Sequence, residues 1–104
     1  MFKNIASQKV IIYAHNITTD APETGDAANI TAQISKDMAA TEASNDANPT
    51  ELDSTDAPGV YYFDLLQAES NCDLFVLYAV SSTDNVVIDV IKEYTTSGAA
   101  WSLS

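Results

Sequence analysis

The segment Gly59–Leu65 (GVYYFDL) is the densest aromatic run of the chain, and it constrains the fold more than any other feature. Valine, tyrosine and phenylalanine suit the pleated, half-buried surface of a β-strand, and a Pro-Gly pair marks the start of the run. Val60 and Tyr62 would point to one face, Tyr61 and Phe63 to the other. A strand that is apolar on both faces needs neighbours along both edges, so this segment predicts a central strand.

Further short apolar runs, separated by clusters of turn residues, predict the remaining strands. Ala28–Ser35 alternates between apolar and polar residues, as expected for a strand with one face in water. The other predicted elements are strands at Gln8–His15, Asp73–Ser81 and Val86–Tyr94, a helical turn at Leu66–Asn71, a turn at Asn48–Glu51, and a meandering loop or hairpin at Lys36–Pro58 with a short strand near Ala39–Ala43.

These elements predict an all-β chain folded as an antiparallel β-sandwich with short, turn-linked strands and extended terminal arms. The chain has 104 residues, which fits one domain. We expect an N-terminal arm at residues 1–7, a sandwich domain at residues 8–95 and a C-terminal tail at residues 96–104.

The charge balance excludes several classes of partner. The formal net charge is −11, with four lysines and no arginine. Nucleic acid and anionic membrane surfaces both require clustered basic residues, so we expect neither as a partner. No apolar run approaches the length of a membrane span, and no signal-peptide pattern opens the sequence.

Few residues are able to carry catalysis or to bind a cofactor. His15 is the single histidine and Cys72 the single cysteine, which excludes an internal disulfide and a zinc site built from protein ligands alone. The acidic neighbours of Cys72 oppose thiolate formation. The acids between Asp37 and Asp56 offer oxygen ligands for calcium, but their spacing is irregular, and solvated loop carboxylates are the alternative. We therefore expect no enzyme, no catalytic residue, no cofactor and no metal site.

The chain carries more apolar strand surface than one sandwich is expected to bury. Val10–Tyr13, Val60–Phe63 and Leu74–Val80 are apolar on both faces. Exposed apolar patches usually mark association, so we expect a homo-oligomer or docking onto a larger assembly. The predicted contact residues are Ile11, Tyr13, Phe75, Leu77, Val87 and Ile91, with Trp101 in the tail as an anchor. The alternatives are that the loop Lys36–Pro58 covers the second face and that the tail folds back on its own domain.

Five short segments, taken in order, carry a resemblance to a known family. They are Asp26–Ala32 (DAANITA), Ile34–Asp37 (ISKD), Asn48–Glu51 (NPTE), Pro58–Leu65 (PGVYYFDL) and Ala68–Asn71 (AESN). Together they resemble small structural proteins and modules of tailed bacteriophages, over most of the chain from about Gln8 to Tyr94. The chain departs from that pattern at Met38, where the family favours glycine.

The resemblance implies an immunoglobulin-like β-sandwich used in virion assembly. The spacing Gly59-x-Tyr61-x-Phe63 is similar to the tyrosine corner of such sandwiches, in which the hydroxyl bonds to nearby backbone. The alternative is that Tyr61 is an ordinary strand aromatic.

The function that the resemblance implies is a head-decoration, or cement, protein on the outer surface of the capsid. The expected partners are the major capsid protein and further copies of the chain, in a trimer by analogy with capsid threefold sites. A net charge of −11 also belongs outside the shell, away from packaged DNA. The first alternative is a collar, neck or tail-fibre adaptor. The second is a carbohydrate-binding or adhesion domain with a sugar platform chosen from Tyr13, Tyr61, Tyr62 and Trp101.

Overall fold

The computed structural model describes residues 1–97 and confirms an all-β fold. In these residues nine strands form two antiparallel sheets that pack face to face as a β-sandwich. The strands are β1 (Lys9–Asn16), β2 (Ala21–Pro22), β3 (Ile30–Lys36), β4 (Glu42–Ala43), β5 (Thr50–Asp53), β6 (Ala57–Asp64), β7 (Leu74–Ser81), β8 (Val86–Ile88) and β9 (Ile91–Tyr94). Two 3-10 turns lie at Ala27–Asn29 and Gln67–Ser70, the second at the predicted helical turn. No helix within residues 1–97 is long and apolar enough to cross a membrane.

The aromatic run becomes β6, which has a neighbour on each edge as predicted. β6 pairs with β1 on one side and with β5 on the other, and β1 also pairs with β2 and β8. The inner face of this first sheet carries buried pairs aligned across β1 and β6: Val10 with Phe63, and Ile12 with Tyr61.

The second sheet has the strand order β4-β3-β7-β9 and covers the inner face of the first. The alternation predicted around β3 is confirmed, because Ile30, Ala32 and Ile34 are all buried. The inner faces of both sheets form one hydrophobic core, which consists of Val10, Ile12, Ala14, Ile30, Ala32, Ile34, Tyr61, Phe63, Leu65, Cys72, Phe75, Leu77 and Ala79.

The single strand predicted at Val86–Tyr94 is wrong, because the structure has two strands there in different sheets. β8 pairs with β1 in the first sheet, and β9 pairs with β7 in the second. The chain crosses between the sheets at residues 89–90, and the crossing shifts the alternation of buried side chains. Val90 is exposed as a result, whereas Ile91 packs against the core.

The long segment 36–58 closes the opposite edge of the sandwich. It contributes β4 to the second sheet and β5 to the first, the latter beginning within a segment predicted as a turn. The Ser44 N–H donates to the Ala32 carbonyl at 3.1 Å, and the Asp64 N–H donates to the Asp46 carboxylate at 2.8 Å. The segment therefore joins the edges of the two sheets and does not cover an outer face.

The turn after β3 has a backbone that favours glycine, although Met38 stands there. Asp37 and Met38 have φ values of 54° and 64°, and the Ala39 N–H donates back to the carbonyl of the last residue of β3 at 3.1 Å. Positive φ costs an L-residue about 1–2 kcal/mol, so glycine would be favoured at this position. The Asp37 carboxylate accepts the N–H groups of Asp73 and Leu74 at 2.9 and 3.0 Å and fixes the turn against β7.

The N-terminal residues lie beside the end of β9. Phe2 forms a parallel bridge with Thr96, and the Lys3 N–H donates to the Thr96 carbonyl at 2.8 Å. The Ile5 N–H donates to the buried Ser70 hydroxyl at 3.1 Å. The segment before β1 is thus held by hydrogen bonds to both ends of the β7–β9 half of the chain.

Tyr61 connects the first sheet to the loop that precedes β3. Its ring is buried, and its hydroxyl donates to the Glu23 carbonyl at 2.6 Å and accepts the Asp26 N–H at 3.0 Å. A tyrosine corner bonds to backbone a few residues upstream, whereas these partners lie 38 and 35 positions away. The tyrosine-corner prediction is therefore wrong, and the hydroxyl instead joins two distant parts of the chain.

Asp26 is a buried carboxylate with a full set of donors. The hydroxyls of Ser81 and Thr83 each donate to it at 2.5 Å, and the Asn29 amide donates at 2.9 Å. Burial raises the pKa of Asp26, but the three donors lower it by more, so the pKa lies below its ordinary value.

Acid is expected to destabilise the fold through this carboxylate. Because the pKa of Asp26 is lower in the folded chain than in the unfolded one, its contribution to stability is complete above the unfolded pKa, about 4, and is lost as the pH falls through the folded pKa. Urea unfolding between about pH 5 and pH 2 should show a falling free energy of unfolding, with a shallower fall in Asp26→Asn. An equally steep fall in that variant would contradict this role for Asp26.

Candidate binding surface

The outer face of the first sheet brings three predicted contact residues together. Ile11, Tyr13 and Val87 are 61%, 45% and 49% exposed. The register of β1 with β6 and β8 places the half-buried Val60 and Tyr62 on the same side as these three residues, so the five side chains form one apolar strip. We call this strip the β1 face; it consists of Ile11, Tyr13, Val60, Tyr62 and Val87.

Alternation within β1 explains why the strip is exposed. Val10, Ile12 and Ala14 point into the core, which leaves the intervening apolar side chains on the solvent side. A strand with one wet face normally carries polar residues there. The β1 face lacks them at its centre, so burying it would release apolar surface from water.

Polar groups border the β1 face at both ends. At one end Lys9 and Asp64 form a hydrogen-bonded ion pair, and the hydrogen bond to Asp64 raises the pKa of the Lys9 ammonium. At the other end the His15 imidazole bonds to the Tyr13 hydroxyl through Nδ1 and to the Asp20 carboxylate through Nε2, both at 3.0 Å. An apolar centre with a polar rim is the usual anatomy of a protein contact surface.

Three other predicted contact residues lie elsewhere. Phe75 and Leu77 are 0% exposed on the inner face of the second sheet, so the prediction that they form an outer contact is wrong. Ile91 aligns with Leu77 and packs, partly buried, against the core, so the prediction that it forms an outer contact is wrong as well. Both faces of β7 are apolar, so only its register with β3 decides which one is inner. Trp101 lies outside the described residues.

A second outer surface was missed by the sequence interpretation. Tyr78 and Tyr94 are 54% and 68% exposed, and Val80 of β7 is exposed on the same side of the sheet. The polar half of the β3 alternation was the available signal, because Thr31 and Gln33 face outwards together with the residues aligned to them. We call this surface the β7 face; its register places on it Thr31, Gln33, Ser35, Ala43, Leu74, Val76, Tyr78, Val80, Lys92 and Tyr94.

Glu51, one of the acids between Asp37 and Asp56, accepts hydrogen bonds from other parts of the fold. Glu51 accepts the Thr24 hydroxyl at 2.8 Å and the N–H groups of Gly25 and Gly59 at 2.9 and 3.1 Å. Burial raises the pKa of Glu51, but these donors lower it by more. Within residues 1–97 no group of three or more His, Cys, Asp or Glu side chains is placed to hold a metal ion.

The side chains of Cys72 and Tyr61 belong to the hydrophobic core. Cys72 is buried, and burial raises the pKa of its thiol. Tyr61 is buried as well, so it is unable to form part of a sugar platform.

A cavity of about 100 Å³ beside β4 is lined by Ile34, Lys36, Ala39, Ala40, Glu42, Ala43 and Glu69. Ligand pockets usually have about 300–1,000 Å³, so this cavity is small for an organic ligand.

Comparisons with known proteins leave the fold and its two outer faces as the basis for a functional argument. The immunoglobulin-like relation and the phage resemblance stay predictions. A scan against protein-family models, a search of curated proteins and a search of solved structures each found no match.

Proposed function

We propose that the chain is a virion structural protein, a head-decoration protein that docks on the outer surface of a phage capsid through the β1 face. The observation that carries the proposal is the exposed apolar strip around Ile11 and Tyr13, which the long segment 36–58 leaves uncovered. The ordered segments that resemble phage structural proteins supply the virion context.

The charge of the chain supports an external position. Its net charge of −11 is repelled by DNA inside the shell and opposes non-specific contact with other acidic surfaces. Docking through an apolar strip avoids this repulsion, because the strip itself carries no charge. Lys9 and His15 at its two ends are placed to contact polar groups of the capsid.

Stabilisation of the capsid would follow from bridging neighbouring subunits. Each contact buries apolar area around the anchors Ile11 and Tyr13, and anchors of this kind carry most of the binding energy of an interface. Copies that are joined to one another, proposed here to be three, convert later contacts into intramolecular ones and raise the overall affinity. Trp101 is proposed as a further anchor.

The copy number in the particle tests the proposal. Quantitative mass spectrometry of purified particles of the phage that encodes the chain should find copies on the scale of the capsid subunits. A few copies per particle would instead indicate a collar, neck or tail-fibre adaptor. Absence from the particle would reject a virion role.

Ile11→Asp is expected to weaken binding to capsid shells by about 30-fold, since a buried interface anchor contributes about 2 kcal/mol. The matched control is Ile17→Asp, which changes the same side chain at the same exposed fraction, 61%, beyond the His15 end of the strip. Co-sedimentation with shells measures both. Equal binding by the two variants would remove the β1 face from the proposal.

A further inference from the structure

The β7 face differs in charge from the chain as a whole. The chain has 15 aspartate and glutamate residues, yet none occurs among the ten residues that the register places on this face. Its single charged side chain is Lys92, whose ammonium lies 5.8 Å from the centre of the Tyr94 ring. The other side chains are neutral hydroxyls, an amide and apolar groups.

The face also has the composition of a contact surface. Tyrosine is enriched at protein interfaces, and both Tyr78 and Tyr94 are more than half exposed. Gln33 aligns with Tyr78 and Thr31 aligns with Val80, so each of these two exposed side chains has a neutral hydrogen-bonding neighbour. Such pairs can be buried without leaving an unpaired charge.

We infer that copies of this chain associate with one another through the β7 face. Two molecules that each carry a net charge of −11 repel, so a stable contact between them requires a surface without carboxylates, because like charges brought together at an interface cost several kcal/mol. The β7 face meets that requirement and carries a slight positive charge besides. The occupant of the face is therefore a second copy.

This inference locates the self-association that the proposed function contains, but it concerns a different surface. The β1 face has Asp64 and Asp20 at its ends, whereas none of the ten residues of the β7 face carries a carboxylate. Glu42 of β4 and Glu93 of β9 align with the inner-face residues Ile34 and Phe75. The two faces lie on opposite sides of the sandwich. Docking on a shell and contact between copies can consequently occur at the same time.

Salt distinguishes a second copy from an unrelated acidic partner. The repulsion between two acidic chains is screened as the Debye length falls from about 10 Å at 0.1 M to about 3 Å at 1 M salt. Self-association through the β7 face is therefore expected to strengthen with salt. Attraction of Lys92 to an acidic surface would weaken under the same change.

Sedimentation velocity of the full chain, from low micromolar to submillimolar concentration at both salt concentrations, tests the inference. We expect oligomers that grow with concentration and with salt. Gln33→Glu adds one carboxylate to the face without changing its shape and should weaken association by about tenfold or more. Gln67→Glu is the matched control, since it adds the same charge at an exposed residue outside the face and should leave association nearly unchanged.

Three outcomes would overturn the inference. They are a monomer at every concentration and salt, association that salt weakens, and equal association of the Gln33→Glu and Gln67→Glu variants. Circular dichroism confirms that both variants are folded, and Tyr78→Glu provides a second substitution on the face. The Ile11→Asp test of shell binding is read separately, so failure here leaves the proposed docking surface to be judged by its own result.

Discussion

Phe75→Ala is expected to lower the free energy of unfolding by about 3–5 kcal/mol, because it removes a buried aromatic ring and leaves a cavity. Phe75 is fully buried between the sheets, where it lies on the same face of β7 as Leu77. Small domains are stable by only about 5–15 kcal/mol, so the variant is expected to be partly unfolded at moderate temperature. Urea unfolding followed by circular dichroism measures the loss.

Tyr78→Ala is the control for this prediction, since it removes an aromatic ring from the exposed face of the same strand. Its effect on stability should stay below about 1 kcal/mol. The difference between the two variants tests which face of β7 is inner. Similar losses in both would mean that the register of β7 with β3 is wrong.

Gly59→Ala is expected to cost about 2–5 kcal/mol, from a strained backbone and an overpacked contact together. Gly59 has a φ of +81°, and a Cβ there would lie 2.8 Å from the Pro22 Cβ and 2.9 Å from the Ala14 carbonyl oxygen. It would also lie 3.1 Å from the Tyr13 ring. Because one of these neighbours is backbone, the contact is relieved only by shifting β1.

Gly25→Ala separates the two contributions. Gly25 has a similar φ of +68°, but a Cβ there would meet nothing within 4 Å. Its cost should be the backbone part alone, about 1–2 kcal/mol. Thermal unfolding of both variants gives the comparison, and equal losses would rule out the steric explanation at Gly59.

Gly59 also connects stability to the candidate binding surface. The absence of its side chain lets Pro22 and the Tyr13 ring approach β6 closely. Tyr13 lies at the centre of the β1 face and holds His15 through its hydroxyl. A shift of β1 that relieved the contact would therefore change the shape of that face as well as the stability of the sheet.

The two outer faces give a single explanation for the apolar excess of the strands. β1, β6 and β7 each use one apolar face for the core; the other face is largely exposed on β1, half-buried on β6 and partly exposed on β7. A strand that contributed only to the core would need a single apolar face. The second faces are what we propose for docking on a shell and for contact between copies.

Local pattern was sufficient for the elements whose signals lie within a few residues. The aromatic run at Gly59–Leu65 demanded neighbours on both edges and became the centre of the first sheet. The alternation around Ile30–Lys36 identified its buried side, because one half of the pattern was polar. Of the predicted contact residues, Ile11 and Tyr13 are exposed for the same reason, since they alternate with Val10 and Ile12.

Composition and alternation by themselves determined that this chain is an acidic β-sandwich with more apolar strand surface than its core requires. Tertiary structure alone decided that Phe75 belongs to the core, that residues 86–94 divide between two sheets, and that the carboxylate-free β7 face exists. The physical reason is that pairing between strands distant in sequence assigns each side chain to a face. In a strand that is apolar on both sides, the local sequence does not indicate which face will be buried.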